Sequence, residues 1–322
     1  MIRLALRQAV EIPSYARGAT NFSELTGVPL SESALQRLTV AYGAAVVAAD
    51  EEEAAAMVRL PKAEEAVLWR RIPQPDSEVM AVSADGVLIH MRDEGWKDEG
   101  WKEVKVMSVS AVCAHGAQMG DAKTRRLEKH SYRAGLWEAK TFTNHYWAES
   151  CRRGLEKAKR IVCISDGAAW IWAIVFICFA RRTEILDWWH VVQYLWQIVG
   201  EAYDRSSGAA VAWMEAQKES LAHSQHRLLF HRVRLLYPRG TPLPETVQQA
   251  LGYLWHNRRR IDYAAYRQAG LPIGSGTVES AAKTVVQQRM KQAGMRWSRP
   301  GAQAMLALRT RLLSDRWCDL PI

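Results

Sequence analysis

EVMAVSADGVLIHM, residues 78–91, decides how the rest of the chain is read. Apolar and polar residues alternate with the period of a half-buried strand, and Asp85 interrupts the run. A carboxylate at the end of a buried strand is costly unless something uses its charge, because an unpaired ionised group loses its water on burial. RIVCISDGAAWIW (160–172) repeats the arrangement with Asp166, and PIGSGTVESAAK (272–283) puts Glu279 where a helix opens. Two strand-end aspartates and a helix-borne glutamate form a donor set for paired Mg2+ ions, with Mn2+ as substitute, roughly 3.5–4 Å apart, which suits phosphodiester cleavage. Each acid also has a plainer reading. Asp85 and Asp166 both precede glycine, as turn-forming dipeptides do, and an acid in a first helical turn is favoured by the helix dipole.

Outward from that stretch the period is informative on both sides. Residues 1 to about 72 carry Leu, Ala and Val at helical spacing, with the acidic cluster Asp50 to Glu53 expected on a solvated face. Within them NFSELTGVPLSESALQRL (21–38) resembles a helix-turn-helix, with a turn at Gly27 and a second helix entered at Ser31 or Ser33; an ordinary helical hairpin fits as well. RIPQPDSE (71–78) reads as a linker. After the first strand come EVKVMSVSAV (103–112) and HSYRAGLW (130–137), both strand-like, and DEGWK stands twice in tandem at 93–97 and 98–102, where it lengthens a hairpin loop.

A helix (about 139–159), the strand RIVCIS, a helix through WIWAIVFICF, the strand TEIL (183–186) and a helix from Asp187 follow. This order predicts an α/β fold, a ribonuclease-H-like mixed sheet flanked by helices, in which the first and fourth strands are neighbours. Asp85 and Asp166 are then adjacent despite the 81 residues between them. Residues 191–268 show no strand pattern and read as an all-helical insertion. The expected partition is an N-terminal helical segment (1–75), the first part of a catalytic core (76–190), the insertion (191–268), and C-terminal core helices with a basic DNA-contacting face (269–322).

The net charge of +9 is unevenly spread. Residues 1–224 hold 27 Lys and Arg against 29 Asp and Glu, whereas residues 225–322 hold 16 against 5. A basic block that is mostly arginine is a phosphate-binding footprint, since such side chains displace condensed counterions and grip phosphate in bidentate fashion. Lys283, Arg289, Lys291, Arg296, Trp297 and Arg299 are its candidate DNA contacts, with Trp297 able to stack on a base. Asp187 and His190, in LDWWH, form a second constellation at the end of the last strand, either auxiliary to a metal site or an N-cap and its packing neighbour.

No membrane span is expected. The apolar run AAWIWAIVFICFA (168–180) has 13 residues, short of a membrane span, and reads as a buried helix. No secretory signal is visible, and five scattered cysteines without a CxxC pair fit a reducing, cytoplasmic and nucleoid-associated setting.

SADG (83–86), GWKEVKV (100–106), SDGAAWIW (165–172), ILDWWH (185–190), PIGSGTVES (272–280) and GMRW (294–297), in this order, resemble the ISKra-type insertion-sequence transposases of bacteria, with a looser echo at LTGVPLS (25–31). The resemblance spans roughly 79–317 and implies a ribonuclease-H-like DDE domain with a helical insertion. By motif, Asp85 matches the first Asp, Asp166 the second and Glu279 the Glu, while Asp187 and His190 match an Asp-x-x-His pattern. It further implies Mg2+-dependent cleavage at terminal inverted repeats, strand transfer into target DNA, and a homodimer when synapsed. Three features depart from the family: a shorter region ahead of the helix-turn-helix-like segment, the doubled DEGWK and the apolar AIVFICFA. The alternative they leave is a catalytically inactive DNA-binding remnant.

Overall fold

The computed structural model describes residues 1–58, 65–93, 95–114 and 125–321. Four helices come first: α1 (Ile2–Glu11), α2 (Tyr15–Thr26), α3 (Glu32–Val58) and α4 (Glu65–Arg71). They are followed by β1 (Val79–Arg92), β2 (Asp98–Ala114) and β3 (Arg125–Gly135). The chain then alternates through α5 (Ala139–Arg152), β4 (Arg160–Ser165), α6 (Ala169–Cys178), β5 (Thr183–Leu186) and α7 (Trp188–Gly200). Helices α8 (Gly208–Ala222), α9 (His226–Leu235), α10 (Glu245–His256) and α11 (Tyr263–Gln268) precede α12 (Gly276–Ala281), α13 (Gln288–Met290) and α14 (Arg299–Leu313).

The five strands form one mixed sheet in the order β3-β2-β1-β4-β5. β1 runs antiparallel to β2 and parallel to β4, and β5 runs parallel to β4. The first and fourth strands are therefore side by side, and the sheet flanked by helices is compatible with a ribonuclease-H-like arrangement. β1 departs from expectation in one respect: it does not stop at Asp85. It continues to Arg92, with Asp85 opposite Val106 and Gly86 opposite Lys105 on β2, so this Asp-Gly pair is extended strand and not a turn. What stops there is the neighbour, since β4 pairs with β1 only as far as Val82 opposite Cys163.

The two copies of DEGWK adopt different structures. The first makes the turn, with Asp93 Oδ1 accepting from the Lys97 amide at 2.7 Å. The second lies mostly in β2, where Trp101 is opposite His90 and stacks on its ring, centroids 5.0 Å apart. The duplication thus lengthens the strand pair as well as its loop.

Two apolar cores pack on the sheet. Met80, Val82 and Ala84 of β1 meet α5, α6 and α7, and this core continues into α8 to α11. Val87, Ile89 and Met91 meet α1, α3, α12, α14 and the winding between α12 and α13. α6 buries Ile171, Trp172, Ile174 and Val175, but Phe176 and Ile177 are exposed, so the apolar run 168–180 is a one-sided surface helix and not a fully buried one. Among the described residues no helix is long and apolar enough to cross a membrane.

The helical hairpin near the N-terminus forms where the sequence places it. Gly27, at φ 70°, ends α2 in the left-handed conformation, and Ser31 Oγ accepts from the Ala34 amide at the start of α3. But α3 runs on for 27 residues and packs its buried stripe against α14 and α5. At Gly43 a Cβ would lie 2.5 Å from that of Ala304, so the two helices cross where only glycine fits. The acidic cluster is not wholly solvated as expected. Asp50 is buried, and it and Glu53 pair with Arg133 of β3, which also meets Glu149 of α5 at 3.2 Å; Arg311 of α14 joins at Asp50.

Candidate active site

Asp85 is the polar break in an otherwise closed face. On β1 the positions Ala81, Ser83, Val87, Ile89 and Met91 are all buried, and Asp85, pointing the same way, is only partly so. It lies just past the point where β4 leaves β1, and Ser165, the last residue of β4, accepts a hydrogen bond from the Ala84 amide at 3.0 Å. Asp166 follows directly. Its Oδ1 accepts from the Ala168 amide at 2.9 Å, which fixes the strand-to-helix turn into α6. Parallel pairing of β1 and β4 thereby brings two acids to one end of the sheet.

Glu279 arrives from far along the chain, and three contacts put it there. Asp187 caps α7, with Oδ1 accepting from the His190 amide at 2.8 Å, while its Oδ2 accepts from the Ser275 amide. The Trp188 amide donates to the Ile273 carbonyl at 3.0 Å, and Ser108 of β2 donates to Thr277 at 3.4 Å. The loop 272–276 is thus stitched to the end of β5, and α12 is laid across β2 on the face that Asp85 shares. Ser275 occupies the N-cap position of α12, but its side chain makes no cap; the Asp187 carboxylate supplies the tie instead.

The electrostatics identify the cluster. Burial, opposed by the backbone hydrogen bond from Gly86 and reinforced by the charges of Asp166 and Glu279, pushes the Asp85 carboxyl up to about 6. Burial and the charge of Asp187 also raise Glu279, with His190 pulling it back. No arginine or lysine pairs with any of the three acids among the described residues. Excess negative charge is held at a partly open site, the pattern that marks functional groups more often than structural ones.

A roof comes from the helices between β5 and α12. Tyr253 of α10 stacks on Tyr194 of α7, centroids 4.0 Å apart, beside the His190 ring at 6.0 Å. A Cβ on Gly167 would lie 2.3 Å from the Tyr253 ring, so the residue after Asp166 must be glycine for the roof to close. The charge of Asp166 is felt at Tyr253, whose hydroxyl is raised chiefly by burial. Sequence reading missed both tyrosines, because nothing in the local pattern of α7 or α10 distinguishes them from core aromatics.

The expected DNA contacts divide. Lys283, Lys291, Arg296 and Arg299 are exposed, and Lys291 sits over the Trp101 ring at 5.3 Å. Arg289 and Trp297 are corrections, since both are buried and neither faces solvent. Arg289 donates to the Ala9 carbonyl at 2.8 Å and lies over the rings of Tyr15 and Trp297, while Trp297 Nε1 donates to the Met290 carbonyl at 3.0 Å. Arg309 and Arg311, counted in the same basic block, are buried too. Arg309 donates to the carbonyls of Val285, Thr284 and Val10. The first two belong to a π-helical stretch, Ala282–Gln287, that joins α12 to α13 and whose wider winding disturbs the usual carbonyl pairing. Arg289 and Arg309 thus bind the protein's own backbone, and Arg311 binds the Asp50 carboxylate.

Carboxylate oxygens are the donors that Mg2+ and Mn2+ prefer, and the raised Asp85 shows charge left uncompensated by the protein, so the residues present fit a divalent cation. Among the described residues no three His, Cys, Asp or Glu side chains are drawn into a ready-made cage. Mg2+ is ordinarily held by one or two carboxylates together with water and substrate phosphates, and does not require one.

No protein-family model matches the chain, and no curated protein matches it. Among solved structures it is similar to the Drosophila P element transposase strand transfer complex, at 9% identity over 81% of this chain and 74% of that chain, with a TM-score of 0.23. A likeness that loose leaves the functional reading to the residues themselves.

Proposed function

We propose that the protein is a DNA transposase of the bacterial ISKra insertion-sequence type, cleaving phosphodiesters at element ends and joining the freed 3′-OH to target DNA. The observation that carries the proposal is the Asp85 carboxyl, raised on β1 beside Asp166 and Glu279, with no arginine or lysine among the described residues to answer it. The six ordered motifs of the sequence agree with it, as does a sheet in which the strand bearing Asp85 lies against the one preceding Asp166.

In this reading Asp85, Asp166 and Glu279 hold divalent cations, which when bound polarise the phosphodiester and assist both the attacking and the leaving oxygen. The chain's own part is positional. Asp187 holds the loop 272–276 so that Glu279 faces Asp85, His190 offsets some of the acids' mutual repulsion, and the Tyr253 and Tyr194 roof keeps bulk water from the Asp166 side. Lys283, Lys291, Arg296 and Arg299 orient DNA through its backbone, which sets register without reading sequence.

The test is strand cleavage and joining on inverted-repeat DNA with Mg2+ or Mn2+. Asp85→Asn, Asp166→Asn and Glu279→Gln should each abolish both steps while salt-sensitive DNA binding persists. Retention of activity in all three variants rejects the assignment, and DNA binding without nicking by the wild type identifies an inactive remnant.

A further inference from the structure

The end of the sheet opposite the acids carries the reverse charge. β4 begins at Arg160 and β5 at Thr183, and between their amino ends and α10 runs a continuous cleft. One part, about 720 Å3, is floored by Thr183 and Glu184 and rimmed by His256, Arg258 and Arg259. It meets a second part, about 420 Å3, that reaches Lys159, Arg160 and Arg181, with Ala180, Arg182 and Thr183 common to both. Six strand steps of about 3.3 Å put this cleft roughly 20 Å from Asp166.

Of the two acids that line the cleft, Glu184 is already committed. Glu184 takes Arg182 at 2.7 Å and Arg260 at 2.6 Å, and these pairs hold its carboxyl below the ordinary value although burial opposes them. Glu156, half-buried in the second part, has its carboxyl raised by desolvation and is the one acid of the lining set against these cations. Arg160, Arg181 and Arg259 are exposed, and among the described residues none of them has an acidic partner. Exposed aromatic rings lie against two further arginines of the lining. Arg258 lies over the exposed Trp255 ring at 4.4 Å, and Arg182 lies beside Phe176, 72% exposed, at 5.2 Å.

Unpaired arginines along an extended cleft, with exposed rings against two of its other arginines, suit a polyanion whose phosphates recur along a groove. We infer that this cleft is a second DNA-binding surface, gripping the phosphodiester backbone of a duplex segment away from the acids. It takes from the proposed function only the identity of the polymer. The cleft contributes affinity that is independent of sequence and of metal.

The experiment is equilibrium binding of the full chain to a mixed-sequence duplex of about 30 base pairs, without divalent cations and over a range of salt. Arg181→Glu and Arg259→Glu are compared with Lys140→Glu, the same charge change at an exposed position in the first turn of α5. Each cleft variant should weaken binding about tenfold and lower the salt slope by about one, while Lys140→Glu stays within about twofold of wild type. Unchanged thermal denaturation shows that all three fold. The inference is overturned if both cleft variants bind the duplex as Lys140→Glu does. It is overturned equally if they lose calorimetric binding of pyrophosphate but keep duplex affinity, for the cleft is then a small-anion site. Because binding is read without metal, this result stands or falls apart from strand cleavage.

Discussion

The molecule gathers two groups of carboxylates, one mostly buried and one partly open, and treats them oppositely. Around Arg133, the acids Asp50, Glu53 and Glu149 are each answered by arginine, with Arg152 and Arg311 completing the set. Burial alone would raise the Glu149 carboxyl, but hydrogen bonding to Arg152 and the charges of Arg152 and Arg133 carry it down to about 2. Around Asp85 nothing basic intervenes except His190, and the carboxyl goes up to about 6. The first group spends its charge on holding α3, α5, β3 and α14 together. The second keeps its charge available, and that separates acids answered within the protein from acids that are not.

The contrast is broken most severely by Arg133→Met, which leaves Asp50 and Glu149 buried with too few partners. Unfolding in urea should show a loss of about 3–5 kcal/mol, the usual result of removing one side of a buried ion pair. Asp85→Asn should do the reverse, eliminating cleavage while stabilising the fold at pH 8 by on the order of 1–3 kcal/mol. The sign follows from the raised carboxyl. The folded state retains the Asp85 proton that the unfolded chain releases, so wild-type stability from this group is present at low pH and lost as pH rises from about 4 to 6. Glu149 has the opposite slope, its contribution being complete above the ordinary glutamate range and lost as pH falls toward 2. Stability curves of Asp85→Asn and Glu149→Gln against pH should therefore both separate from wild type as pH rises, the first upward between about 4 and 6 and the second downward from about 2 to the ordinary glutamate range; separation in the same direction would erase the distinction.

A smaller effect sharpens it. Mg2+ at about ten times its dissociation constant should stabilise the wild type by about 1.4 kcal/mol and leave the Asp85→Asn, Asp166→Asn double variant unmoved in calorimetry. Least of all, Arg296→Ala should change stability by less than about 0.5 kcal/mol, because its side chain is exposed.

The strands were legible because their periodicity is local. RIVCIS and TEIL coincide with β4 and β5, and the order of elements along the chain is enough to set β1 beside β4. The continuation of β1 beyond Asp85 was not legible, since Asp-Gly signals a turn locally and only pairing with β2 overrides it. Charge was legible as a count and not as a location. Arg309 and Arg296 are alike in sequence, yet one reaches three backbone carbonyls inside the protein and the other is at the surface. The acids at 50 and 53 looked solvated for the same reason: their partner, Arg133, is 80 or more residues away.

The tie between Asp187 and Ser275 spans 88 residues, and it governs when the acids can meet during synthesis. At about 5–20 residues per second a ribosome needs roughly 4–18 s to make that interval. For that time a nascent chain presents Asp85 and Asp166 without Glu279. The full acid cluster is withheld until the segment carrying α12 emerges and docks, so a polypeptide released before that point folds much of its sheet without acquiring a complete site.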